Sequence, residues 1–200
     1  MPERFYRIGL SQIGRILASG LVAVCVAACG NNPSNEVADG PCPGESGFGA
    51  RIEGSEGPID VCVTDDSVTT VFTERGWYDV TARMTESEGT VYEFYLLFPH
   101  HATARKLNLT GNLAEAIGDA NGAWFHFVEI PPGGPALEST AVTAGTFRLG
   151  YSDTEVVAGS FEDIVLEMSV SGLDSVAGAR RLPLGFLSVL TDTMEFDATR

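Results

Sequence analysis

From Gly49 onward the chain repeats one pattern: a short run rich in β-branched and aromatic residues, then a cluster of Gly, Pro, Asp, Asn or Ser. The runs fall at 48–53, 59–64, 67–74, 77–85, 89–98, 104–109, 122–130, 140–151, 154–169 and 181–190. A spacing of about 8–15 residues with turn formers between is that of an antiparallel sandwich or barrel. Period-2 alternation is clear in places: Phe147, Leu149 and Tyr151 share one face while Thr146, Arg148 and Gly150 take the other. The run VYEFYLLF at 91–98 is almost continuously apolar and predicts a central strand buried on both faces. One helical turn is expected at Leu113 to Ile117. Asn112 would cap it, Glu115 would complete a capping-box-like arrangement, and Gly118 would end it. The expected fold is mostly β, a single antiparallel β-sandwich or barrel-like domain over residues 48–200.

Composition agrees with strands and turns: 23 Gly, a single lysine (Lys106), and a hydrophobic fraction of 44%. The formal net charge is −15. Residues 1–28 carry Arg4, Arg7 and Arg15 against Glu3, a net of +2, so the remainder stands at −17. Such a surface repels phosphate backbones and anionic head groups, which argues against a nucleic-acid partner.

The N-terminus has three parts. Met1 to Arg15 is polar and basic, Ile16 to Val26 is an uncharged, mostly apolar run of 11 residues, and Ala27-Ala28-Cys29-Gly30 are all small. A bilayer core needs about 20 apolar residues, so this run is too short to span one comfortably. The order of basic, apolar and small segments reads as a secretory signal over residues 1–28. Val26-Ala27-Ala28-Cys29 resembles the lipobox of bacterial lipoproteins. The resemblance implies a diacylglyceryl group on the Cys29 sulfur, cleavage before Cys29, and acylation of the new amino group. It also implies attachment to a membrane of the cell envelope. In a Gram-negative host, Gly30 and Asn31 after the cysteine would imply the outer membrane.

Residues 29–47 form the lipidated terminus and a tether, with three Pro and four Gly in GNNPSNEVADGPCPGESG and no apolar periodicity. Two cysteines are left without a role after processing, Cys42 and Cys62. In an oxidising compartment they should pair as a disulfide that pins the end of the tether to a strand. The alternative is a two-cysteine metal site, though no His or further Cys neighbours them in sequence.

An internal echo relates Ala144-Gly145-Thr146-Phe147 to Ala158-Gly159-Ser160-Phe161, with Tyr151 to Thr154 as the turn. It predicts a hairpin whose glycines mark bulges or close backbone approach. The G-T-F and G-S-F pair resembles the closing hairpins of uncharacterised β-sandwich lipoproteins, which adds to the fold class alone.

Catalytic motifs are absent from the sequence: no G-x-S-x-G, H-E-x-x-H, P-loop or paired C-x-x-C occurs. No cofactor is implied. His100, His101 and His126 are the metal candidates, the first two from a turn beside Pro99, with Glu93 or Glu129 as acidic partners. Trp77, Tyr78 and Trp124 are ligand-binding candidates, being the flat amphipathic groups that meet sugars or partner proteins. Acidic pairs such as Asp65-Asp66 and Glu162-Asp163 lack regular oxygen-ligand spacing and read as solvated turns and edges. The expected function is a membrane-anchored lipoprotein with a non-catalytic binding or structural module, its partner an envelope protein or glycan. The alternative is a metal-assisted hydrolase using His100, His101 and carboxylates.

Overall fold

The computed structural model describes residues 42, 47–54, 57–73, 75–101, 103–152, 156–173 and 176–190. The signal segment, Cys29, the tether up to Pro41 and the Asp153-Thr154 half of the expected turn lie outside the described residues. Among the described residues ten strands are formed: β1 (Gly47–Gly54), β2 (Gly57–Thr64), β3 (Val68–Phe72), β4 (Trp77–Thr85), β5 (Val91–Pro99), β6 (Arg105–Thr110), β7 (Gly122–Ile130), β8 (Leu137–Ser152), β9 (Val156–Val170) and β10 (Val176–Leu190). One short helix, α1 (Leu113–Gly118), joins β6 to β7. No helix among the described residues is long and apolar enough to cross a membrane.

All ten strands belong to one sheet, in the order β2-β1-β10-β9-β8-β6-β7-β5-β4-β3. The edge strands β2 and β3 do not pair, so the sheet is not closed into a barrel. Instead it folds over on itself. Phe48 on β1 and Phe94 on β5 are far apart in strand order, yet their rings lie 4.5 Å apart. The two halves therefore face each other across a single core, as in a sandwich. The two edges are also neighbours in sequence, joined by one 3-10 turn at Asp65–Ser67.

The expectation of a purely antiparallel sheet is corrected at one place. β6 runs parallel to β7, with Asn108 opposite Gly122 and Thr110 opposite Trp124. A parallel neighbour needs a crossover, and α1 with its flanking turns supplies it. β6 thereby separates β7 from β8 along part of their length, while Val128 and Glu138 pair directly beyond it.

The core is built by alternation. Phe147 and Phe161, the two echoed phenylalanines, stand directly opposite each other in the β8–β9 hairpin. Both are essentially inaccessible. The two glycines expected to be special have the two roles foreseen. Gly145 adopts φ +120° at a shift in the β8–β9 register, a bulge conformation that side chains rarely tolerate. At Gly159 a side chain would run into the Phe147 ring and the Arg148 carbonyl.

The cap of α1 differs in detail from the expectation. Asn112 Oδ1 accepts the backbone N–H groups of Ala114 and Glu115, at 3.0 and 3.3 Å. Glu115, however, does not bond back to Asn112. Its carboxylate accepts the Thr110 hydroxyl at 2.9 Å, and Thr110 Oγ1 in turn accepts the Asn112 N–H at 3.1 Å. The reciprocal contact is relayed through Thr110, two residues upstream of Asn112. Nor does Gly118 cap the helix: Gly118 is its last residue and Asp119 follows in an extended conformation.

Cys42 and Cys62 form a disulfide with Cα atoms 5.7 Å apart. It ties the chain before β1 to the edge strand β2. The sequence separation of 20 residues sets the entropy the bond removes from the unfolded chain. Reduction, or a Cys42→Ser/Cys62→Ser double variant, is expected to cost about 3 kcal/mol of stability. Urea unfolding with and without a reductant measures it directly, and an unchanged midpoint would refute it.

Candidate binding face

β4, β5 and β7 are adjacent antiparallel strands, and their register settles which side chains share a face. Tyr78, Val80 and Ala82, then Tyr92, Phe94, Leu96 and Phe98, then Phe125 and Phe127 all point into the core. The other set forms rows across the outside. Trp77 stands beside Pro99, while Asp79, Leu97 and Trp124 form the next row. Thr81, Tyr95 and His126 follow, then Arg83, Glu93 and Val128, then Thr85, Val91 and Ile130. The expected double burial of 91–98 is thus corrected. Tyr92, Phe94, Leu96 and Phe98 are buried, but Val91, Glu93, Tyr95 and Leu97 keep intermediate exposure.

Trp124 and Tyr95 on the outer face are held in place by internal bonds. Trp124 Nε1 donates to the Gly111 carbonyl at 3.1 Å. Its ring lies nearly parallel to that of His126, at 6° and a centroid distance of 5.6 Å, and His126 lies 5.8 Å from the Tyr95 ring. The Tyr95 hydroxyl donates to Glu93 at 2.8 Å, and Glu93 is in turn 3.4 Å from Arg83. Burial, then the bond to Glu93, raises the Tyr95 pKa, so the phenol stays protonated. α1 extends this surface. Ala116 is buried over Gly122 at the start of β7. Leu113 and Ile117, one turn apart on the same side of the helix, are 44% and 49% exposed.

The sequence candidates separate accordingly. Trp77 and Trp124 belong to this outer face. Tyr78, adjacent to Trp77, points the other way; it is 2% exposed and packs between Phe72 and Phe98, so it belongs to the core. Tyr95 and Leu97 complete the face and were readable only from the apolar excess of the 91–98 run.

The histidines fall into two groups. His100 and His101 lie just beyond β5. His100 Nδ1 is 3.4 Å from the Tyr78 hydroxyl and 3.3 Å from Ser152 Oγ. The Ser152 hydroxyl also donates to the His101 carbonyl at 3.0 Å. Burial, reinforced by Arg105 and His100, lowers the His101 pKa, so its ring is neutral at pH 7. His126 keeps other company, between Trp124 and Tyr95 on the outer face. No group of three His, Cys, Asp or Glu side chains placed to hold a metal ion occurs among the described residues. Glu129, considered as an acidic partner, is instead bonded to Arg180. What the face offers chemically is contact: planar rings and aliphatic groups with hydroxyl and carboxylate neighbours.

No family model matches the chain. No curated protein and no solved structure matches it either.

Proposed function

We propose that this chain is a lipoprotein held on a membrane of the cell envelope through Cys29, and that its β domain is a non-catalytic binding module. Its contact surface is the outer face of β4, β5 and β7, and its partner is an envelope protein or glycan. One observation carries this reading. Tyr95 and Leu97 make the outer side of β5 apolar and aromatic beyond what the core requires, and they are continuous in register with Trp124 on β7 and, through Pro99, with Trp77. Partly exposed aromatic groups locked by their own hydrogen bonds are the side chains on which binding energy concentrates. The net charge of −17 over residues 29–200 favours a neutral or basic partner over an anionic one.

Two variants test the two halves of the proposal in intact cells. Cys29→Ser should abolish labelling of the protein by radioactive palmitate, since two or three acyl chains at about 0.8 kcal/mol per buried methylene are what hold it on the membrane. Undiminished palmitate labelling of Cys29→Ser would refute the lipid anchor. Trp124→Ala should weaken capture of a cross-linked partner about 30-fold, corresponding to about 2 kcal/mol. Undiminished capture by a folded Trp124→Ala protein would refute the face.

A further inference from the structure

β7 and β8 meet directly only near Val128 and Glu138; toward Gly122 they part to admit β6. At this fork Ser139 Oγ accepts the Phe127 backbone N–H at 2.9 Å. The same oxygen lies 3.3 Å from His126 Nδ1. Ser139 is 5% exposed, which limits water as an alternative partner for its hydroxyl. A serine hydroxyl has one hydrogen. With a lone pair engaged by Phe127, that hydrogen needs an acceptor, and an unprotonated Nδ1 is the acceptor within reach. The neutral imidazole with its proton on Nε2 meets that need.

We propose that His126 and Ser139 form a proton-sensitive clasp at the fork: neutral His126 holds β8 against β7, and protonation opens the contact. A protonated ring carries hydrogens on both nitrogens, so Nδ1 loses the lone pair that accepted the hydroxyl hydrogen and that hydrogen bond is lost. The groups facing His126 pull in different directions. Burial opposes the cation and outweighs the rest, while Glu138 on β8 and the Ser139 carbonyl favour it. On β5, Tyr95 is neutral, and the Glu93 to which it is bonded is paired with Arg83 on β4. The folded pKa thus lies below the ordinary value of 6.5. The contribution of the clasp is complete above that value and is lost as the pH falls through it toward the folded pKa. Because His126 lies between Trp124 and Tyr95, opening the clasp also disturbs the contact surface. That consequence rests on the proposed binding face; the clasp itself does not.

The test uses the Cys29→Ser domain with its disulfide intact and follows His126 by nitrogen NMR from about pH 7.5 to about pH 4.5, together with amide exchange. The expected neutral form is the Nε2–H tautomer. Protection of the Phe127 amide, corrected for intrinsic exchange, should fall about ten-fold with the midpoint of the His126 titration, while the amide of Phe94 holds its protection over that step. His126→Gln should abolish the step and His101→Asn should retain it. Ser139→Ala should lower Phe127 protection at every pH. An Nδ1–H tautomer at neutral pH, flat Phe127 protection through the titration, or a step persisting in His126→Gln would each overturn the clasp. Undiminished partner capture by Trp124→Ala would remove the binding face and leave these readings untouched.

Discussion

Replacing Phe161 with alanine is expected to destabilise the domain by about 3–5 kcal/mol, the range for an aromatic ring removed from a closed core. The ring is 1% exposed. Its centroid lies 4.9 Å from Phe147, and 5.7 Å from both Phe48 and Phe125. Phe125 belongs to the opposite half of the sheet, so the cavity would open where the two halves meet. Surrounding strands are fixed by their ladders and have little freedom to collapse into it. Chemical denaturation of the Cys29→Ser domain, fitted with an unchanged denaturant slope, gives the value. Phe161→Leu should cost clearly less because it keeps most of the volume. A loss below about 1 kcal/mol for the alanine variant would mean that the ring is not part of a tightly packed core.

Glu129→Ala should give the second large effect, about 2–4 kcal/mol, somewhat below the full cost of breaking a buried pair because water still reaches the site. Glu129 on β7 binds Arg180 on β10 through two hydrogen bonds, at 2.9 and 3.2 Å. The side chains are 17% and 15% exposed. Removing the carboxylate leaves a guanidinium in a mostly closed place without its anion. Replacing both partners, as Glu129→Leu with Arg180→Met, should recover most of the loss, because no unpaired charge then remains. A double variant as unstable as Glu129→Ala would show that the pair matters for another reason. Tyr92 gives a separate readout. Its pKa is pushed up to about 12, by burial first and then by the charges of Glu86 and Glu129. Without Glu129 the phenol should ionise at lower pH, visible in its ultraviolet absorbance.

Strand positions were legible because alternation and turn residues are local. β4 and β7 appear at the expected residues, 77–85 and 122–130. Where the local signal fades, the boundaries moved. β10 begins at Val176 rather than at 181, since Val176 to Arg180 is a small-residue segment with Gly178 at φ +140° and no apolar alternation. The insertion of β6 between β7 and β8 was not legible at all, because strand order depends on pairings between residues distant in sequence. The same limit explains the site. Trp77 and Trp124 were singled out by type, but Tyr95, Leu97 and His126 join them only through register. In sequence the apolar run of β5 reads as double burial; the fold leaves one side half-open, and the excess apolar character there is the strongest sign of an interaction surface. Ser139 carries no signal of its own, being one serine among several until the fork gives it two partners.

The strand order also dictates a schedule of assembly. The β1–β2 hairpin has one further neighbour in the sheet, β10, with Gly47 opposite Ser188 and Glu53 opposite Arg181. A chain that emerges from its amino end therefore displays the first hairpin long before its docking strand exists. Closing so distant a contact is slow, and unpaired edges are exposed to misassembly in the interval. The Cys42–Cys62 bond needs only residues already present at that early stage, 20 positions apart. Oxidation can thus hold the β1–β2 hairpin in shape as a waiting template, and β10 docks by fitting between it and β9.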